Sequence, residues 1–392
     1  MSAMAYNPVY NSIPFTNFES VTPETPIETL NLNWTERDLP ERVRTKHVHR
    51  LHPYLGKFIP QLAEIFLRKY SPVYVCDPFC GSGTTLAEAN VLGINSVGCD
   101  ISAFNCLITK VKTDKYDIKK VEGEIKDVLA KLRYMTATQP SFKNVKDTDN
   151  EYLLKWYAPK AGRQLLYFLS LIPNYEHQDL FKVILSRSAR SARLTTHFDL
   201  DFPKKPQTEP YNCYKHGRIC KPTEDALQFL RRYSIDTLER VKEFSKIRTD
   251  ANVKVINDDS RTVKFPEIDM VFTSPPYVGL IDYHEQHKYA YELFGLERKD
   301  EFEIGRASKG SSEIAQKEYI NGIGKVFANV KNSLKDNGVV AIVVHDKNKL
   351  YSDLAPKIGF KQEIAIERHV NRRTGRRAND FFESVLIWRK ND

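Results

Sequence analysis

Val73-Tyr74-Val75-Cys76-Asp77-Pro78-Phe79-Cys80-Gly81-Ser82-Gly83-Thr84-Thr85 is the stretch that decides the fold. Its first four residues are an apolar run of the length of a buried strand, and Gly81-Ser82-Gly83 breaks that run. Helical spacing resumes over residues 84–92, and Ser96-Val97-Gly98-Cys99 gives a second strand ending at Asp100. Strand, glycine turn, helix and strand make a β-α-β unit, and the turn falls where a doubly wound sheet opens a ligand crevice.

Outward from this unit, Gln61-Leu62-Ala63-Glu64-Ile65-Phe66-Leu67 has helical spacing and feeds the first strand. Strand character returns at Val253-Lys254-Val255-Ile256, Met270-Val271-Phe272, Val339-Val340-Ala341-Ile342-Val343-Val344 and Ser384-Val385-Leu386-Ile387-Trp388. Between residues 115 and 250 the chain is rich in Lys and Glu at helical spacing, over 121–135, 163–171 and 223–244. The expected fold class is therefore α/β, a doubly wound Rossmann-like sheet with a helical insertion domain. Four parts are expected: an irregular arm over 1–40, a first core part over 41–114, the helical insertion over 115–250 and a second core part over 251–392.

The 392 residues carry a net charge of +9, which favours a polyanionic partner because cationic side chains release counterions from phosphate backbones. No apolar run is long enough to cross a bilayer, and residues 1–18 have neither the basic start nor the apolar stretch of a signal peptide. A membrane partner and export are not expected, and the location expected is the cytoplasm. In that compartment the six cysteines read as reduced thiols. Cys213, His216 and Cys220 offer three zinc ligands, but a structural site takes four and no clear fourth lies close by, so no metal site is expected.

The glycine loop lacks the Lys-Ser/Thr pair of a nucleotide phosphate loop and the third glycine of a dinucleotide fold, so both are excluded. By itself it reads equally as a tight strand-to-helix turn. The second chemical motif is Ser274-Pro275-Pro276-Tyr277, directly after the strand ending at Thr273. Two prolines end the ladder and leave carbonyl oxygens in a stiff arrangement, suited to an amino group with two hydrogens to donate. Tyr277 adds a flat face on which an extruded base can stack. In isolation the tetrapeptide reads as a proline turn or a polyproline ligand.

Together these segments resemble amino-directed DNA methyltransferases of the N4-cytosine/N6-adenine class, of the Thr-Ser-Pro-Pro-Tyr type. Asp77 to Thr85 matches the loop that holds the methionine part of S-adenosylmethionine in that family. His52-Pro53-Tyr54-Leu55-Gly56-Lys57-Phe58-Ile59-Pro60 looks like its cofactor-closing motif, and Asn257-Asp258-Asp259-Ser260-Arg261 like its Gly-Asp-Ser segment, with Asp258 where glycine is usual. The resemblance implies S-adenosylmethionine as cofactor, held by Tyr54, Lys57, Phe58, Asp77, Pro78, Phe79, Gly81, Gly83, Thr84, Asp100 and Asp259. Asp77 would face the cofactor's amino group, Asp259 would lie near the adenine amino group, and Asp100 would accept from the ribose hydroxyls unless it serves as a helix N-cap.

Ser274, Pro275, Pro276 and Tyr277 form the implied catalytic set. In this family Ser at the first position goes mostly with cytosine N4 and Asp with adenine N6, so cytosine N4 is expected and adenine N6 is the alternative. Cytosine C5 chemistry needs a cysteine after proline, and no Pro-Cys pair occurs. The expected activity is modification of double-stranded DNA in a restriction–modification pair with a companion endonuclease. An RNA amino-methyltransferase and a DNA-binding module without chemistry are the competing readings. Asp282, Tyr283 and His284 are candidates for the base pocket or for an ordinary helix start. Phosphate contacts are expected from Arg187, Arg190 and Arg193, read as a helical stripe, and from Arg368, Arg372, Arg373, Arg376 and Arg377 around a turn between two final strands. The insertion is the expected place of target recognition.

Overall fold

The computed structural model describes residues 14–346, 348–370 and 381–390. Seven strands form one sheet in the order β5-β2-β1-β6-β7-β9-β8, and two more form a separate hairpin, β3-β4. They are β1 (Tyr74–Asp77), β2 (Asn95–Asp100), β3 (Tyr211–Cys213), β4 (Arg218–Cys220), β5 (Val253–Asn257), β6 (Ile268–Thr273), β7 (Leu334–Val344), β8 (Phe360–Val370) and β9 (Phe381–Lys390). Strands β5, β2, β1, β6 and β7 run parallel, and β9 lies antiparallel between β7 and β8. This is the doubly wound α/β sheet that the sequence implies. Chain order runs outward on one side through β2 and β5 and on the other through β6 and β7. The topological switch therefore lies between β1 and β6, where Val75 pairs with Met270 and Cys76 with Val271.

Numbering the helices longer than one turn, α1 is Pro60–Tyr70, α2 Thr84–Val91, α3 Ala103–Thr113, α4 Ile118–Thr138, α5 Glu151–Trp156, α6 Pro159–Leu171, α7 Gln178–Ala192, α8 Leu227–Ser245, α9 Lys288–Phe294 and α10 Glu313–Lys331. Helices cover both faces, so the central strands are apolar on both sides. On β7, Val339, Ala341 and Val343 enter a core with Leu62, Ile65 and Phe66 of α1, while Val340, Ile342 and Val344 enter another with Ile323, Val326 and Phe327 of α10. A one-residue slip would exchange the two faces. None of the described helices is long and apolar enough to cross a membrane.

A third core joins α4 to α8 with Phe104, Ile108 and Val111 of α3 and with Tyr289, Ala290, Tyr291 and Leu293 of α9. The helical segment thus shares one apolar interior with helices of the sheet domain. Residues 14–40 are irregular apart from short 3₁₀ turns, yet Val21, Leu30, Leu32, Trp34 and Leu39 are buried in the α1 core. Asn33 Oδ1 also accepts the His369 N–H at 2.7 Å, fastening the arm to β8.

Candidate active site

The switch point brings the ends of β1, β2 and β6 together. Thr273 Oγ1 donates to Asp77 Oδ1 at 2.6 Å, and the Phe79 N–H donates to the same oxygen at 3.2 Å. Thr85 Oγ1 donates to the Phe272 carbonyl at 3.1 Å, so the glycine loop is tied to β6 at two points. Asp77 is buried and does not line the cavity beside it. Burial pushes its carboxyl up to about 6, against the opposing hydrogen bond from Thr273. The expectation that Asp77 faces a ligand's amino group is corrected here: it lies beneath the loop and fixes the loop's shape.

Two glycines in the loop are required by geometry. Gly83 has φ +73°, and an added Cβ would lie 2.6 Å from Thr109 Cγ2. Gly81 has φ +48°, and its Cβ would meet the Tyr54 hydroxyl at 2.7 Å. Helix α3 satisfies the loop from below: Thr109 Oγ1 donates to the Gly81 carbonyl at 2.9 Å and Lys112 Nζ to the Ser82 carbonyl at 2.6 Å. Lys112 is fully buried, and burial holds its ammonium well below the usual lysine range. Neither Thr109 nor Lys112 stands out in the sequence, since nothing local marks a lysine in an amphipathic helix as buried.

Asp100 reaches into the cavity while its own oxygens are held. Oδ2 accepts the Gly81 N–H at 2.9 Å, and Oδ1 accepts the Ser102 N–H at 2.8 Å and Asn105 Nδ2 at 3.1 Å. The N-cap of α3 is Ser102, whose side chain accepts from the Asn105 N–H, so the capping alternative for Asp100 falls away. Burial raises the Asp100 carboxyl, opposed by these donors.

The cavity, with the open space at its mouth, encloses about 830 Å³. Pro78 to Ser82 form its floor with Thr84, Tyr54, Lys57 and Phe58 one wall, Asp100 and Asn105 another, and Asp259 and Ser260 a third. Ser274 and Pro276 border it from β6, and Tyr283 and Glu303 complete the rim. Lys57 Nζ donates to the His49 carbonyl at 2.6 Å, and burial lowers it to about 8. Tyr54 stacks on Tyr283 and on His287, each at 5.7 Å between centroids. Asp259 forms a bidentate pair with Arg261, with Nε to Oδ1 at 2.8 Å and Nη2 to Oδ2 at 2.6 Å. The carboxylates of Asp100 and Asp259, the glycine loop and the apolar side chains of Phe58, Phe79 and Ile304 thus line one cavity, a mixture of polar and apolar groups that suits a small amphipathic ligand.

Gly83, Pro275 and Tyr277 lie outside the cavity lining. Tyr277 is half-buried, its hydroxyl donating to Glu383 Oε1 of β9 at 3.2 Å and its ring tilted against His345 and Phe381. Past it, the Gly279 N–H donates to the Gly305 carbonyl at 2.9 Å, so the segment after β6 rests on residues 303–310. Of the three candidates there, Tyr283 borders the cavity, Asp282 accepts from the Ser308 N–H, and His284 is buried against Glu303.

The arginine stripe on α7 is corrected by the structure. Arg187 is 6% exposed, paired with Asp236 at 2.6 Å and packed over the Tyr233 ring. Arg190 pairs with Asp201, and Arg193, 3% exposed and past the helix end, donates to the Leu200 carbonyl and lies over Tyr289. Arg368 is also buried, 3.7 Å from Glu383. Arg372, Arg373, Arg376 and Arg377 lie outside the described residues, between β8 and β9.

A family model described as DNA methylase matches residues 33–111 and 268–392. The Type II methyltransferase M.MjaII of Methanocaldococcus jannaschii is 41% identical over 430 residues, covering 89% of this chain and 81% of that protein. The Type II methyltransferase M.MvaI of Kocuria varians is 25% identical over 244 residues, covering 58% of this chain and 53% of that one. The Type II methyltransferase M.BsoBI of Geobacillus stearothermophilus is 23% identical over 292 residues, covering 67% and 56% respectively.

Proposed function

The chain belongs to the N6/N4 DNA methylase family, with S-adenosylmethionine as methyl donor, and on that premise we propose that it methylates cytosine N4 in duplex DNA. The observation that carries this reading is that Ser274, heading Ser-Pro-Pro-Tyr at the end of β6, borders the same cavity as Asp100 and the glycine loop. When bound, S-adenosylmethionine supplies a methyl group on a positively charged sulfur, so no covalent enzyme nucleophile is required.

The chain's own residues then bind and orient. Asp100 takes the ribose hydroxyls, Asp259 the adenine amino group, and the loop backbone with Tyr54, Lys57 and Phe58 the methionine end. Ser274 Oγ and the Pro275 carbonyl accept the two N–H bonds of the target amino group, which turns its lone pair toward the donor. Tyr277 stacks on the extruded base, with Glu383 fixing its hydroxyl. Target recognition is assigned to residues 115–250, and phosphate contacts to Arg372, Arg373, Arg376 and Arg377 and to the exposed Lys215 and Arg218 of the β3-β4 hairpin. The three relatives are named Type II methyltransferases, which supports a companion restriction endonuclease.

Incubation with tritiated S-adenosylmethionine and duplex DNA, followed by nucleoside analysis, tests the reading. Label in N4-methylcytosine is expected. Label in N6-methyladenine overturns the choice of base, and label in tRNA or rRNA but not in DNA overturns the choice of polymer.

A further inference from the structure

We propose that His197, Cys213, His216 and Cys220 hold a structural zinc ion in the β3-β4 hairpin. The ligand atoms of these four residues all lie within 4.8 Å of one another. Cys213 Sγ is 3.5 Å from His197 Nδ1, and His216 Nδ1 is 3.4 Å from Cys220 Sγ. A tetrahedral ion with bonds of about 2.3 Å to sulfur and about 2.0 Å to nitrogen sets its ligands roughly 3.3–3.8 Å apart. The fourth ligand that the local sequence lacks is His197, which comes from the turn after α7, so the premise of three ligands without a nearby fourth does not hold in the fold.

The hairpin's construction supports the assignment. Strands β3 and β4 pair over three residues each, and neither contributes to any of the three apolar cores. Tyr214 is 94% and Ile219 68% exposed, so no hydrophobic interior holds the hairpin closed. A two-stranded hairpin of this length is not self-supporting in water, and small units without a core are held by disulfides or metals. Cys213 and Cys220 are nevertheless buried. The turn between them wraps back on the first cysteine, whose carbonyl accepts the N–H of His216 at 3.2 Å and of Gly217 at 2.8 Å. Tyr211 orients the His197 segment, its hydroxyl accepting the His197 N–H at 3.1 Å, while its 2.8 Å contact with Nδ1 is one that zinc ligation through that nitrogen would replace.

Two thiolates and two imidazoles select zinc over hard cations, and four protein ligands leave no open position for chemistry. Binding releases the two thiol protons to solvent as two sulfur–zinc bonds form. None of the four residues lines the candidate active site, so the ion's work is to hold the knuckle rigid.

Elemental analysis of the full chain, purified without added metal and dialysed, tests the assignment. About one zinc per chain is expected, and the Cys213→Ser/His216→Asn variant is expected to lose it while still binding S-adenosylmethionine. On the wild-type chain, stripped and titrated with zinc alone against a chromophoric chelator, the protein is expected to win the ion from a chelator of about nanomolar affinity. Failure to compete overturns the site, as does zinc retained by the double variant. Thiol counting under denaturing conditions supplies the remaining arm, since a Cys213–Cys220 disulfide in the isolated protein would also overturn it. These readouts stand whether or not methyl transfer is found.

Discussion

Two aspartates at the strand ends and two arginines of the helices between the family-matched parts, all with little water around them, are handled in opposite ways. At the strand ends, Asp77 and Asp100 are held by neutral donors, namely backbone N–H groups, a threonine hydroxyl and an asparagine amide, and among the described residues no ion pair is formed by either. In the intervening helices, Arg187 and Arg190 are paired with Asp236 and Asp201. Asp100, held by neutral donors and bordering the cavity, has no cation to offset its carboxylate before a ligand arrives. An arginine already neutralised by a carboxylate has little left for a phosphate. Between Asp100 and these two arginines, spare charge rather than charge is what separates the binding group from the structural ones.

The largest effect expected is on turnover. Ser274→Ala should lower kcat by about 10²–10³-fold, the cost of losing one positioned acceptor, with cofactor affinity unchanged. A loss in affinity instead would break the division between the binding and positioning walls of the cavity.

Next comes the pH dependence of stability. Asp77 has a folded value of about 6 against an ordinary value of 3.8, so its stabilising contribution is fully present below about pH 4 and is lost as pH rises through about 6. The difference is worth about 3 kcal/mol. Denaturant melts of Asp77→Asn, which keeps an acceptor for Thr273 and Phe79, should lose this slope between pH 4 and 6. An unchanged slope would show that the neutral donors already offset the cost of burial.

Asp236→Ala sharpens the other side. It leaves Arg187 buried with Thr237 and the Tyr233 ring as partners, and should destabilise the fold by about 2 kcal/mol, less than a fully buried pair because Asp236 is partly exposed. The salt dependence of DNA binding should not move. A smaller change is expected from Asp100→Asn, which should raise the S-adenosylmethionine Kd about tenfold in calorimetry by removing charge from its hydrogen bonds. Smallest is the change from Lys215→Ala or Arg218→Ala, each of which should reduce the slope of log Kd against log salt by about 0.9. No change in slope would remove the hairpin from the DNA-facing surface.

The unit from β1 to β2 was legible because short apolar runs bounded by glycine and proline have few other ways to fold, and because Ser274 and Asp100 stand at strand ends. The arginines mislead because spacing is not a face: from 187 to 193 a helix turns through about 600°, leaving the ends of the series about 120° apart around the axis. Arg193 also lies beyond the helix, and the neutralising aspartates come from elements that periodicity cannot bring together. His197 escaped notice for the same reason, since sixteen positions separate it from Cys213 in the chain while 3.5 Å separates their ligand atoms in space. Asp77 was recognised in its motif, but nothing in the motif says that the carboxylate lies beneath the loop.

The buried ammonium of Lys112, together with Thr109, has a consequence for how the molecule opens. Both belong to α3, whose apolar face packs in the same interior as Phe181 and Ile184 of α7, and Lys110 on its outer side pairs with Asp179 at 2.9 Å. An opening that frees α3 from those helices strips the Gly81 and Ser82 carbonyls of their donors at the same moment. The glycine loop and the helical pile therefore form one cooperative unit, and amides in the loop should share the hydrogen-exchange protection of α7 rather than fray with the surface turns.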